Sequence, residues 1–270
     1  MMVSGAPAGE AGAPGRTTPP QFSLSGRCAV VTGVNGDMGR AIALGLAAAG
    51  ADVIGVARRP GSDEPVRHAV TALGRDYLSM CADLSVRAEL DQLAQRLRRC
   101  RPSVDILINN AAGIVRSAAV DHTDGDWEAI VGVNLTASFT LAREVGRTML
   151  EQGRGKIVFI ASMQSFQGGM NLVAYTATKT GVVGIVRALA NEWAAFGVNV
   201  NAIAPGYIET AMTAQRRSDP DARRAITDRI PAGRWGGPED VVGAVTFLAS
   251  PASDYIDGVV LPVDGGWLVR

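Results

Sequence analysis

The feature that most constrains the fold is a regular alternation of two kinds of segment from Arg27 onward. Short runs rich in β-branched residues, such as CAVVT and DVIGVA, alternate with longer Ala- and Leu-rich segments of helical spacing. The short runs are apolar at nearly every position, which is typical of strands covered on both faces. We therefore predict an α/β fold in which a doubly wound, seven-stranded parallel sheet carries helices on both faces.

The pattern places the long helices at 127–149 and 172–196 and predicts one domain over residues 22–270. A chain of 270 residues with 47% hydrophobic content is long enough for one sizeable core. Residues 1–21 are rich in Gly, Ala and Pro and lack the apolar run of a signal peptide, so we expect a disordered tail.

Charge and cysteine content argue against several classes of partner. Lys and Arg number 26, as do Asp and Glu, which gives no reason to expect nucleic acid or an acidic membrane as a partner. Cys28, Cys81 and Cys100 match no zinc spacing, and the two histidines are too few for a metal site. We expect buried, reduced thiols in a cytoplasmic protein that binds no metal.

A glycine-rich turn, TGVNGDMGR, follows the first predicted strand and opens an Ala-rich helix. Such a turn, here with Gly33, Gly36 and Gly39, lets a dinucleotide's diphosphate approach the helix N-terminus. Asp37 is unusual, because a carboxylate facing the phosphates costs about 1–4 kcal/mol. We expect Asp37 to point away and accept N–H groups at the helix start, so that cofactor binding is weakened but survives. The alternative is a strand–helix turn without a ligand.

Together the motifs resemble the short-chain dehydrogenase/reductase family over residues 22–270. TGVNGDMG resembles the family's TGxxxGxG loop and NNAAG its NNAG motif, and VNL, IAS, YTATK and APGYIET follow in the family's order. The C-terminal 43 residues and SFQGG are most similar to the sugar-acid branch, the 2-dehydro-3-deoxy-gluconate and gluconate 5-dehydrogenases. The chain departs from the family at Asp37 and Ala112, where the family has glycines. The resemblance implies a homotetramer and a mobile substrate lid at about 207–237.

The cofactor implied is a nicotinamide dinucleotide. NAD enzymes place an acid at the end of the second strand, whereas this chain has Ala57, Arg58 and Arg59 there. Because guanidinium groups suit a 2′-phosphate, we favour NADP(H), with NAD(H) possible and two solvated arginines as the alternative. By resemblance, Asp83 holds the adenine amino group. The other cofactor-binding positions implied are Gly33, Asn35, Gly36, Asp37, Met38, Gly39, Leu84, Asn110, Ala111, Ala112, Tyr175, Lys179, Pro205, Gly206, Ile208 and Thr210.

Tyr175 and Lys179 are four residues apart and so share one helix face. A tyrosine hydroxyl has a pKa of about 10, and we expect the nearby ammonium and an oxidised nicotinamide to lower it. Ser162 ends strand five and would hydrogen-bond the substrate oxygen. By resemblance, Asn134 helps to hold a proton-relay water. We predict hydride transfer between nicotinamide and a secondary alcohol or ketone, with Tyr175 as acid or base.

The predicted substrate is a small molecule, a sugar acid or related polyol. Candidate contacts are Arg116, Gln164, Gln167, Asn171 and Arg216 or Arg217, since arginine suits a carboxylate. A rival is a 3-oxoacyl-[acyl-carrier-protein] reductase, which would need a basic docking patch near the lid. A catalytically quiet cofactor-binding protein is the third interpretation, and only Asp37 and Ala112 suggest it.

Overall fold

The computed structural model describes residues 20–100 and 103–270. The predicted tail therefore lies outside the described residues except for its last two positions. These two belong to a single 3₁₀ turn, Pro20–Phe22, and the Phe22 ring lies 6.3 Å from that of Phe247.

Seven parallel strands form one sheet, as predicted. Their order across the sheet is 3-2-1-4-5-6-7. Strands one to three are therefore added toward one edge and strands four to seven toward the other, so the order reverses between the first and fourth strands. In such sheets ligands bind at the carboxyl ends of the strands, beside this reversal. The strands are β1 (Cys28–Thr32), β2 (Asp52–Ala57), β3 (Tyr77–Cys81), β4 (Ile106–Asn109), β5 (Gly155–Ile160), β6 (Val198–Pro205) and β7 (Val260–Val263).

Helices cover both faces of this sheet, which confirms the predicted architecture. The helices are α1 (Asp37–Ala48), α2 (Glu64–Ala72), α3 (Arg87–Arg98), α4 (Asp124–Val131), α5 (Ser138–Gln152), α6 (Val173–Trp193), α7 (Ala214–Arg217), α8 (Pro220–Arg229) and α9 (Val242–Ala249). One core cluster joins the sheet to side chains of α3, α5 and α6, and a second joins it to side chains of α1, α2 and α9.

The helix predicted at 127–149 differs from the observed one in two respects. It begins earlier, at Asp124, because the Thr123 hydroxyl accepts the Asp126 N–H and caps the first turn. A π-helical segment, Gly132–Ala137, then separates α4 from α5. Such segments are rare and often lie at functional sites, and this one contains Asn134.

The expectation of buried thiols is met only in part. Cys28 is buried as expected, whereas Cys81 is exposed and Cys100 half-buried.

Within residues 20–100 and 103–270, no helix has both the length and the apolar content needed to cross a membrane.

Candidate active site

The glycine-rich loop folds only with glycine at two of its positions. Gly33 has φ +64°, and a Cβ on Gly39 would lie 2.2 Å from the Gly33 carbonyl oxygen and 2.8 Å from Asn110 Nδ2. Asn110 fixes the loop from the other side, since its amide donates to the Thr32 carbonyl at 2.8 Å. The first turn of α1 is thereby left open at the carboxyl end of β1. This geometry fits the diphosphate of a dinucleotide.

Gly39→Ala is expected to weaken NADPH binding by at least about tenfold, because the new methyl group meets backbone rather than a flexible side chain. Gly184→Ala is the matched control, since Gly184 is also helical, lies outside the cavity wall and has no atom within 4 Å of a Cβ built on it. A fluorescence titration with NADPH compares the two variants. Equal affinities would contradict the steric role of Gly39.

Asp37 is the first residue of α1. Its carboxylate Oδ2 accepts the backbone N–H of Ala211 at 2.7 Å. The carboxylate therefore bonds a residue of the predicted lid, whereas we expected it to accept N–H groups at the start of α1. The carboxylate is exposed.

Arg58 and Asp83 lie at the carboxyl ends of β2 and β3, where an adenosine moiety would sit. Two hydrogen bonds, from the Ser85 hydroxyl and N–H, and then the charge of Arg58 lower the pKa of Asp83. Asp83 is therefore an ionised acceptor close to a guanidinium. Arg58 and Arg59 are both exposed. These positions match the predicted adenosine-binding residues, whose roles remain predictions.

Ser162, Tyr175 and Lys179 come together at the carboxyl end of β5. Ser162 follows β5 and hydrogen-bonds Tyr175 of α6. One turn further along α6, the Lys179 ammonium donates to the Ile160 carbonyl at 2.6 Å and lies 5.7 Å from the Tyr175 ring centroid. Ser165 Oγ donates to the Lys179 carbonyl, which fixes α6 against the segment after β5. The sequence prediction that these three side chains meet is consistent with this placement.

Opposing effects act on the pKa of Tyr175. Burial of its hydroxyl raises this pKa, while the hydrogen bond with Ser162 and the charge of Arg116 act in the opposite direction. In the chain without cofactor the pKa of Tyr175 is therefore raised, and the lowering that we expect from the ammonium and an oxidised nicotinamide together remains a prediction.

Burial lowers the pKa of the Lys179 ammonium to about 8, from an ordinary value of 10.5. Lys179 is only 3% exposed. Between these two values the unfolded chain holds a proton that the folded chain has lost, so this residue's contribution to stability increases with pH. We expect the free energy of unfolding of the wild type, relative to Lys179→Met, to rise by about 2 kcal/mol from pH 7 to 9.5. Urea unfolding of both proteins tests this, and a difference that is independent of pH would contradict it.

Asn134 lies behind the cavity wall. Its Oδ1 accepts the Gly113 N–H at 2.8 Å, and its Nδ2 donates to the Gly113 carbonyl and to Thr178 Oγ1. It therefore ties the NNAAG loop to α6. The Ser138 hydroxyl donates to its backbone carbonyl, and a role in holding water remains a prediction.

A cavity of about 570 Å³ opens beside Tyr175 at the carboxyl edge of the sheet. It brings together most of the predicted residues near the reacting centre, namely Gly36, Asp37, Met38, Gly39, Asn110, Ala112, Arg116, Ser162, Gln164, Gln167, Tyr175, Lys179, Pro205, Gly206, Ile208, Thr210 and Arg216. The predicted cofactor-binding positions outside this wall are Gly33, Asn35, Arg58, Arg59, Asp83, Leu84 and Ala111.

Two predicted substrate contacts are not part of this wall. Asn171 is exposed with φ +60°, and its carbonyl accepts the Ser117 N–H. Arg217 instead donates to the Thr210 carbonyl and lies 3.9 Å from the Glu209 carboxylate. Of the pair Arg216 or Arg217, the structure therefore places Arg216 at the cavity.

The cavity wall is cationic. Arg116 and Arg216 are half-buried and make no hydrogen bond or ion pair within the part of the chain that the structure describes. Burial, and then the charge of Arg216, lower the pKa of Arg116 from its ordinary value. Two neighbouring guanidinium groups without a counter-charge favour an anionic ligand.

Sequence reasoning missed an aromatic and cationic part of the wall. Trp267 lines the cavity, Arg229 stacks 3.9 Å from its ring centroid, and Tyr207 packs edge-on against it. The buried indole N–H of Trp267 and Oε1 of Gln164 have no hydrogen-bond partner among the described residues. The signal available in the sequence was position, since Trp267 directly follows the VDGG turn after β7.

Comparison with known proteins extends these findings. A sequence model of the family described as enoyl-(acyl carrier protein) reductase matches residues 33–268. The 2-dehydro-3-deoxy-D-gluconate 5-dehydrogenase of Escherichia coli (strain K12) is 46% identical over 252 residues, covering 92% of this chain and 98% of that relative. A 3-oxoacyl-[acyl-carrier-protein] reductase of Salmonella typhimurium is 38% identical over 246 residues, covering 91% and 98%.

Solved structures with the same fold include dehydrogenases crystallised with NADP. A protein from Beutenbergia cavernae assigned as an NAD(P)-dependent gluconate 5-dehydrogenase, with NADP bound at low occupancy, has 50% identity and a TM-score of 0.90, covering 93% of this chain and all of that one. A gluconate 5-dehydrogenase from Burkholderia cenocepacia, in complex with NADP and tartrate, has 33% identity and a TM-score of 0.89, covering 93% and 98%.

Proposed function

We propose that this chain, which belongs to the short-chain dehydrogenase/reductase family of oxidoreductases, interconverts a secondary alcohol and a ketone of a sugar acid with NADP(H). The observation that carries the proposal is one cavity that contains Ser162, Tyr175 and Lys179 together with the unpaired Arg116. The relatives named as sugar-acid dehydrogenases support this choice of substrate class.

The bound nicotinamide supplies or accepts the hydride. In the reductive direction Tyr175 donates its proton to the carbonyl oxygen while Ser162 hydrogen-bonds the same oxygen, and in oxidation Tyr175 accepts the proton. The raised pKa of Tyr175 makes the hydroxyl the resting form, which suits proton donation. Lys179, held by the Ile160 carbonyl, would also bind the ribose hydroxyls of the cofactor.

Arg116 and Arg216 would hold the substrate carboxylate. Gln164 and Trp267 also line the cavity that would hold the substrate. The residue types of this wall therefore support a small, anionic, hydroxylated molecule.

A 3-oxoacyl-[acyl-carrier-protein] reductase is the second candidate function, because relatives of that name are 38% identical. It would need unpaired basic groups on the outer surface of the lid. Arg217 and Arg223 lie near Glu209, and Arg224 lies 3.6 Å from Asp221, so most of that charge is neutralised. This pairing favours the sugar acid. The catalytically quiet interpretation has little support, since Ser162, Tyr175 and Lys179 share one site.

The finer features are also proposals. Residues 22–270 would form one domain with a lid at about 207–237, and four such chains would assemble in the cytoplasm. Exposed apolar side chains on α4, α5 and α6, namely Trp127, Phe139 and Val173, and Val269 near the C-terminus would serve as subunit contacts.

The experiment has two stages. Purified protein is first titrated with NADPH and NADH by nicotinamide fluorescence, and NADPH should bind at least about tenfold more tightly, a difference of ~1.4 kcal/mol. NADPH formation is then followed with NADP⁺ and gluconate, 2-dehydro-3-deoxy-D-gluconate or a neutral polyol. A 3-oxoacyl thioester that is reduced faster than the keto sugar acids would establish the rival function.

A further inference from the structure

The contact between Asp37 and Ala211 joins the two segments that enclose the cofactor site. Ala211 follows Thr210 in the proposed lid, 174 residues along the chain from Asp37. Among the hydrogen bonds of the described residues, this is the one that connects the glycine-rich loop to the segment 207–237. Its acceptor is a carboxylate, which makes it a charge-assisted bond.

Side-chain hydrogen bonds lie within the lid entrance, residues 208–217, whose first residue, Ile208, is buried in the second core cluster. Thr213 Oγ1 donates to the Ile208 carbonyl at 2.7 Å, and the Arg217 guanidinium donates to the Thr210 carbonyl at 3.1 Å. These bonds make the entrance a small ordered unit, but they do not fix it to the sheet. The bond to Asp37 attaches the lid entrance to the glycine-rich loop.

The same carboxylate lies where the cofactor brings negative charge. Asp37 is the first residue of α1, and the N-terminus of that helix is where the diphosphate binds in this fold. A carboxylate close to the diphosphate repels it and lowers the affinity for the cofactor. A glycine, which the family has at this position, would give neither the attachment nor the repulsion.

We infer that Asp37 is a positioning residue that fastens the lid entrance to the glycine-rich loop before the cofactor binds, and that its charge weakens cofactor binding. The inference rests on the proposed function only in taking NADP(H) as the cofactor. The attachment of residues 208–217 by Asp37 exists in the chain without any ligand and does not depend on the substrate.

Two substitutions separate the hydrogen bond from the charge. Asp37→Asn keeps an oxygen acceptor and removes the charge, whereas Asp37→Ala removes both. Asp91→Asn is the control, because the half-buried Asp91 carboxylate pairs with Arg87 on α3 and not, among the described residues, with the lid. Equal thermal unfolding midpoints establish that all variants are folded, as expected for side chains that are not fully buried.

The first readout is limited trypsin digestion of the full chain without cofactor, with the cut sites identified by mass spectrometry. Arg216, Arg217, Arg223 and Arg224 place cleavage sites in the lid. Asp37→Ala should be cut there about tenfold faster than the wild type. Loss of ~1.4 kcal/mol of free energy from the Asp37–Ala211 hydrogen bond raises the population with an open lid entrance by that factor. Asp37→Asn should be cut at a rate between those of the wild type and Asp37→Ala, because a neutral amide oxygen is a weaker acceptor than a carboxylate, and Asp91→Asn should be cut at the wild-type rate. Cleavage of Asp37→Ala at the wild-type rate, or of Asp37→Asn as fast as Asp37→Ala, would overturn the fastening.

The second readout is NADPH affinity, measured by fluorescence. Asp37→Asn should bind about tenfold more tightly than the wild type, because only the charge has been removed. An unchanged or weaker affinity for Asp37→Asn would overturn the second half of the inference. A protein that shows the expected digestion pattern but turns over no sugar acid would leave the fastening intact and refute the proposed substrate instead.

Discussion

Tyr175→Phe is expected to lower kcat by about 10²–10⁴-fold, the range that a positioned acid–base group contributes. The variant lacks only the hydroxyl, which is the group placed to exchange a proton with the substrate oxygen and which hydrogen-bonds Ser162. The ring stays against Lys179, so the shape of the cavity should be kept. NADPH affinity should therefore be close to that of the wild type.

Steady-state rates in both directions and an NADPH titration measure the two effects separately. Tyr255→Phe is the matched control, since Tyr255 is fully exposed and lies outside the cavity wall. If Tyr175→Phe kept more than about a tenth of the wild-type kcat, another group would have to be the acid–base. If it lost NADPH binding as well, the Tyr175 hydroxyl would also be a cofactor-binding group.

The fold could be predicted from the sequence because its signals are local. Each strand is a short apolar run, each helix has its own period, and the glycines at 33 and 39 reflect a turn within a few residues. The place of the cavity could also be predicted, because in a parallel sheet the residues that follow successive strands meet at one edge. Ser162 after β5 and Thr210 after β6 follow this rule. The roles of Tyr175 and Lys179 rest on the resemblance and remain predictions.

Features that depend on distant contacts could not be predicted. The partner of Asp37 is 174 residues away, and nothing near Asp37 in the sequence indicates Ala211. Arg216 and Arg217 are adjacent, and only the fold of the lid directs one to the cavity and the other to the Thr210 carbonyl. The pKa of Tyr175 depends on burial, which a four-residue spacing does not reveal.

Arg116→Met is expected to lower kcat/KM for a sugar acid by about 10²-fold, mainly through KM. Loss of one partner of a desolvated charge pair costs about 2–5 kcal/mol, and Arg116 is a half-buried guanidinium without an ion-pair partner in the described residues. Methionine keeps an unbranched side chain, so packing at the cavity should change little. A neutral polyol of similar length should lose much less, because it has no carboxylate to pair with the guanidinium.

A second readout distinguishes direct recognition from a change in cavity shape. The charge of Arg116 lowers the pKa of Tyr175, so its removal should raise that pKa and move the ascending limb of the pH profile of alcohol oxidation, in which Tyr175 must lose its proton, to higher pH. Arg224→Met is the control, since Arg224 is exposed in the lid and pairs with Asp221 rather than facing the cavity. If Arg116→Met affected the sugar acid and the neutral polyol equally, with an unchanged pH profile, Arg116 would only shape the cavity. The substrate carboxylate would then have to be held by Arg216 or Arg229, the other arginines of the wall.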